Sequence, residues 1–75
     1  METALAAVWL IKVVVVHDGK THYGDPDDAK YRSAYATRAA CLKAAAPLVA
    51  IVRPGPRMFY EVKGVSCREH KIEVR

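Results

Sequence analysis

The stretch VWLIKVVVVHDGKTHY, Val8 to Tyr23, decides how this chain folds. From Val8 to His17 it is β-branched, aromatic or aliphatic apart from Lys12 and His17, a composition that suits a pleated strand. Asp18 and Gly19 then tolerate the positive φ of a two-residue hairpin turn, so Lys20 to Tyr23 reads as the return strand. Alternation along the first strand puts Trp9, Ile11, Val13 and Val15 on one face. Val8, Leu10, Val14 and Val16 lie on the other, where only Lys12 is polar. A sheet built around this strand is apolar on both sides.

One helix follows. In GDPDD, Asp25 suits an N-cap, Pro26 the first helical position, and Asp27 and Asp28 the positive end of the helix dipole. The alanine-rich run from Asp27 to Ala46 then predicts a helix that begins at Pro26 and stops before Pro47. Tyr31, Tyr35, Ala39, Leu42 and Ala46 share one face of it at helical spacing, the face expected to pack on the sheet. Leu48 to Arg53 and Arg57 to Lys63 read as two strands joined by RPGPR, with Pro54 and Gly55 at the centre of a type II turn. Val65 to His70 is ambiguous, and Lys71 to Arg75 alternates charged with apolar residues as an edge strand does.

The expected fold is α+β: a single helix on one face of an antiparallel sheet of about four to five strands, in the order β-β-α-β-β-β. One helix covers one face, so the other is expected to carry an apolar patch of Val8, Leu10, Val14, Val49 and Ile51, rimmed by Arg57, Phe59, Glu61 and Lys63, which alternate away from the inward-facing Met58, Tyr60 and Val62. The alternative is that the C-terminal segment folds over that patch.

At 75 residues and 8.3 kDa the chain has room for one domain, near the size at which a partner or a second copy often completes the stability. A hydrophobic fraction of 52% beside 27% charged residues argues against disorder. The apolar run Ala4 to Val16 is broken by Lys12 and falls short of the roughly 20 residues a membrane-spanning helix needs. The one charged residue before that run is Glu2, unlike the basic start of a secretory signal, which leads us to expect a cytoplasmic protein without a membrane partner. Cys41 and Cys67 are too few for a disulfide framework and are expected to be free thiols, with Cys41 buried in the helix. Charge is uneven: Met1 to Ala29 carries −3 and Lys30 to Arg75 carries +7, which together make the net +4. A basic half of this kind favours an anionic partner, nucleic acid or an acidic protein surface.

Little in the sequence points to chemistry. His17, His22, Cys67 and His70 are the only candidate metal ligands, and neither CREH nor HDGKTH has a common zinc spacing. Asp18, Asp25, Asp27 and Asp28 are explained by turn and cap roles and lack the ordered spacing of a calcium loop. DGKTHYGD lacks the glycine spacing that cradles phosphate. Either cysteine with a histidine resembles a nucleophile pair, but so short a chain has little volume for a substrate pocket. No enzyme activity, cofactor or metal is expected. Tyr31 and Tyr35 are read as core residues in preference to base-stacking ones.

Lys12, Arg53, Arg57, Lys63, Arg68, Lys71 and Arg75 make up the basic set with functional potential. Arginine offers a planar fork for carboxylate or phosphate, and the prolines of RPGPR stiffen the segment that presents Arg53 and Arg57. Lys12, Arg53, Arg57, Phe59, Lys63, Lys71 and Arg75 are therefore the predicted partner-binding residues.

With VWLIKVVVV, the DGK turn, the alanine helix AYATRAACLKAAAP and a following strand pair, the chain resembles small phage-encoded proteins that disable host machinery, in particular anti-CRISPR inhibitors. The resemblance implies a stoichiometric binder of a host protein or ribonucleoprotein complex that blocks or mimics contacts to guide RNA or target DNA. Many such inhibitors are acidic mimics of DNA, whereas this chain is basic, so contact with a protein surface or directly with nucleic acid is implied instead. Three readings follow in order: an inhibitory or adaptor protein acting by protein contact, a direct nucleic-acid binder, and a structural homo-oligomer joined through its second sheet face.

Overall fold

In the computed structural model, which describes residues 4–74, the Val8–Tyr23 stretch forms the expected hairpin. Strand β1 (Ala4–His17) turns through Asp18 and Gly19 into β2 (Lys20–Gly24). Both turn residues have positive φ, 50° and 74°, the requirement that Asp-Gly meets at low cost. A short β3 (Ala34–Tyr35) pairs with Trp9 and Leu10 of β1. Helix α1 (Arg38–Ile51), β4 (Gly55–Pro56) and β5 (Glu61–Val74) complete the chain. The sheet is antiparallel with the order β2-β1-β5-β4, β3 lying off that path against β1. One helix packs on one face of five strands, so the class and layer arrangement are those expected.

The boundaries differ in the middle of the chain. The helix starts not at Pro26 but at Arg38, capped by Thr37, whose hydroxyl accepts from Ala40 N–H at 3.1 Å, a cap worth about 1 kcal/mol. Residues 25–33 form a loop instead. Asp25 pairs with Lys12, Pro26 is buried, and Asp28 caps only a single 3-10 turn, Ala29–Tyr31. Arg32 pins this loop by donating to Pro26 O at 2.6 Å and Asp27 O at 2.8 Å.

At its other end the helix runs through Pro47 to Ile51, so Leu48 to Arg53 is not a strand. Pro47 faces solvent, and the spacing that decides the matter is Cys41, Ala45 and Leu48, all buried on one side. The predicted stripe is correspondingly displaced. Leu42, Ala39 and Ala46 are exposed, Tyr31 is buried from the 3-10 turn, and Tyr35 packs on the core from β3. Val49 and Ile51 are exposed residues of α1, Ile51 at the mouth of a cleft beside Leu48, and do not belong to the second sheet face.

The core is Ile11, Tyr31, Cys41, Ala45 and Leu48, with Trp9, Tyr35, Ala44, Val52, Val65 and Cys67 packed around it. Burying a side chain such as Ile11 or Leu48 contributes about 1.5–3 kcal/mol. Within this cluster Cys41 and Cys67 form a disulfide with Cα atoms 6.2 Å apart, which corrects the expectation of free thiols. Each cysteine faces inward from its own element, and the packing of α1 on β5 brings them within bonding reach.

The C-terminal half of the sheet is one continuous strand where the sequence suggested two separated by an ambiguous segment. β5 pairs with β1 from Val16↔Glu61 to Ala4↔Val74. A bulge between Val14 and Val15 leaves Lys63 as the extra residue, beside Gly64 at φ 134°, which is how the glycine bends the strand without ending it.

Candidate interaction site

The RPGPR segment links α1 to β5, and its geometry differs from the type II turn expected. Gly55 and Pro56 pair with Val62 and Glu61, so the reversal comes later, at Arg57–Tyr60, closed by Arg57 N–H donating to Tyr60 O at 2.7 Å. Gly55 has φ 149°, a conformation that suits glycine, and the Arg57 guanidinium lies just beyond it. That guanidinium donates to Pro56 O at 3.3 Å and Arg53 O at 3.2 Å. Arg57 therefore folds back on the segment it was expected to present.

The residues that project are Met58 and Phe59, 87% and 75% exposed at the apex of the turn. Residues 57–60 are not a strand, so the alternation that set Phe59 apart from Met58 and Tyr60 does not apply, and both apex side chains point to solvent. Tyr60 is half exposed beside them, and Ile51 at the end of α1 is 65% exposed. Arg53 is exposed on the approach, and Lys63, 3.2 Å from Glu61, on the departure. Met58 was missed because a single methionine in a supposed strand reads as core.

Below this tip a cleft of about 550 Å³ opens between the residue 25–28 loop and the end of α1. Tyr31, Leu48, Val52 and Val62 line it with apolar surface, Asp27 and Asp28 stand on one rim, and Arg53 and Arg57 on the other. Lys30 stays close to Asp28 at 3.6 Å and sits 5.2 Å from the Tyr31 ring, so part of the acidic rim is already neutralised.

The remaining predicted residues lie elsewhere. Lys12 is on the second sheet face, paired with Asp25, and the hydrogen bond and charge it supplies, with a smaller contribution from Arg32, hold the Asp25 carboxyl below its ordinary value. Lys71 lies far along β5, and Arg75 falls outside the described residues. On the second face Val8, Leu10, Val14 and Val16 are half-buried although among the described residues no helix lies over them. Arg68, opposite Leu10, reaches across β1 to stack 4.1 Å from the ring of Tyr23, opposite Val14. The patch is thus narrower than expected and crossed by its own charged side chains.

Of the candidate metal ligands, Cys67 is committed to the disulfide, and His17 and His22 face each other across the hairpin with ring centroids 6.4 Å apart. Among the described residues no group of three histidine, cysteine or acidic side chains is placed to hold a metal ion. No described helix is long and apolar enough to cross a membrane. Comparison with protein-family models, curated proteins and solved structures finds no match for this chain.

Proposed function

We propose that this is a non-enzymatic binding protein that contacts an acidic protein or nucleoprotein surface through the Arg57–Tyr60 tip, acting stoichiometrically as the phage-type inhibitors it resembles do. The observation that carries the reading is the adjacent exposure of Met58 and Phe59 at a turn flanked by Arg53, Arg57 and Lys63. Large apolar side chains held out on a hydrogen-bonded turn are disfavoured in water unless a partner covers them. Methionine, aromatic residues and arginine are also the types enriched at the centres of protein interfaces.

Direct nucleic-acid binding is the weaker reading. The basic C-terminal half favours it, but Arg57 spends its fork on backbone carbonyls, and Phe59 with Tyr60 is a small platform for stacking bases. A cytoplasmic site of action, as the acidic start before the first apolar run led us to expect, would keep Cys41 and Cys67 reduced, whereas disulfides persist in oxidising compartments. Trapping free thiols with an alkylating reagent at the moment of cell lysis reports which state the working protein has.

The test of function is capture from a lysate of the source cells with and without nuclease. The wild type is expected to retain its partner after nuclease treatment, and the Met58→Ser, Phe59→Ser double variant to lose it while its circular dichroism is unchanged. Equal capture by the double variant overturns the reading. Loss of the wild-type partner on nuclease treatment favours nucleic acid, for which affinity falls steeply with salt.

A further inference from the structure

Beyond Trp9 and Glu69 the sheet narrows to two strands. β2 pairs with β1 only from Val13 to His17 and β3 only at Trp9 and Leu10, so among the described residues Ala4–Val8 and His70–Val74 pair with each other alone. A two-stranded ribbon is marginal in water without a further strand or a packed layer. Among the described residues the outer edge of β5 is open for longer still, since β4 reaches only Glu61 and Val62. From Lys63 onward this edge presents unpaired N–H and C=O groups to any strand that fits. Its side chains from Arg68 to Glu73 are all exposed.

We propose that this edge pairs with the same edge of a second copy of the chain, antiparallel about a two-fold axis at His70. Symmetric antiparallel pairing that keeps like faces together places the axis on a residue that meets its own copy. Charge then selects the residue. An axis at Glu69 opposes that carboxylate to itself, and one at Lys71 opposes both Lys71 to itself and Glu69 to Glu73. An axis at Arg68 opposes two guanidiniums.

At His70 each Glu69 lies across from Lys71 of the other copy, twice over by symmetry, with Cys67 across from Glu73 and Arg68 from Ile72. Unlike charges directly opposite stabilise a pair of strands and like charges destabilise it. Among the described residues neither Glu69 nor Lys71 has an ion-pair partner within its own chain, so both are available. An axis at Ile72 also opposes unlike charges, Lys71 and Glu73, but pairs only residues 70–74, whereas the axis at His70 pairs 66–74. The longer register turns two marginal ribbons into one four-stranded arm. It also sets the two Met58–Phe59 tips at opposite ends, roughly 70 Å apart at strand rise, so the dimer is bivalent.

The experiment is sedimentation equilibrium of the wild type, Glu69→Lys, Lys71→Glu, and an equimolar mixture of the two variants. The wild type is expected at twice the 8.3 kDa chain mass. Each single reversal opposes like charges and is expected at the monomer mass, and the mixture is expected to recover the dimer because each variant supplies the charge the other lost. His70→Cys, with circular dichroism matching the wild type, is expected to form a covalent dimer on a non-reducing gel under mild oxidation, and Ile72→Cys to form little. A wild type that stays monomeric up to millimolar concentration overturns the proposal. So do dimers that survive both reversals, which would put the interface on another surface, and cross-linking through Ile72→Cys in place of His70→Cys, which would move the axis.

Discussion

Cys41 near the start of α1 is bonded to Cys67 in the middle of β5, joining residues 26 apart in sequence across the layer between helix and sheet. Cys67 lies opposite Ile11 in the β1–β5 ladder, so the bond fastens the helix over the most buried position of the central strand. In a chain this short, with a five-residue buried cluster at its centre, such a link constrains the unfolded state more than any single apolar contact stabilises the folded one.

The first prediction concerns that bond. By the chain-entropy relation a loop of this length contributes about 3 to 4 kcal/mol, so the double variant Cys41→Ala, Cys67→Ala is expected to be less stable by that order. Urea unfolding monitored by circular dichroism, with and without reductant, measures it. Addition of reductant should lower the midpoint of the wild type and leave that of the double variant unchanged. Equal sensitivity of the two would mean that the thiols are free.

Asp25 yields a prediction in pH. Its carboxyl is held below its ordinary 3.8 by Lys12, and a group whose folded pKa is depressed stabilises the fold above its unfolded pKa. That stability is lost as pH falls through the folded value. Asp25→Asn should therefore melt lower than the wild type at neutral pH, by a margin that is constant above about pH 5 and closes in stronger acid. A margin that did not change with pH would show that Asp25 acts through packing or turn geometry instead of charge.

Pro47 sits inside α1 with its side exposed, where it removes one helical hydrogen bond and crowds the carbonyl four residues earlier. Pro47→Ala keeps the exposed surface and restores the bond. The expected gain is about 1 to 3 kcal/mol, read from thermal or urea unfolding. A loss of stability would mean that the proline bends α1 into its contact with β5.

Ser66 lies opposite Lys12, with its hydroxyl buried and, among the described residues, without a hydrogen-bond partner. An unsatisfied buried hydroxyl costs free energy that alanine does not, so Ser66→Ala should be neutral to about 1 kcal/mol more stable. Measurable destabilisation would point to a bound water or partner group on the second sheet face.

Much of the architecture is legible in short-range pattern. Alternation in Val8–Val16 and the Asp18-Gly19 pair define the hairpin, because side-chain period and turn φ are properties of adjacent residues. The apolarity of both faces of β1 and the presence of one alanine-rich helix then lead to an α+β sheet with a single covering layer. The geometry of the proposed tip was half legible. Arg53, Arg57 and Phe59 do share one tip, as RPGPR suggested, but Met58 was assigned inward and Arg57 outward, because the register of a turn sets which side chains project.

What the residues could not settle locally, the packing did. GDPDD has every local mark of a helix start, yet Asp25 is drawn to Lys12 across the chain and the helix forms only where Thr37 caps it and Cys41, Ala45 and Leu48 reach the sheet. Pro47 marks a helix end by propensity, but burial of Leu48 on the same stripe outweighs one lost hydrogen bond. The cysteines are unremarkable at a separation of 26 until α1 lies on β5 and brings their Cα atoms to 6.2 Å. Backbone pattern is a matter of neighbours in sequence, whereas helix limits, disulfide pairing and the exposed tip depend on contacts between distant residues, which exist only once the chain has closed on itself.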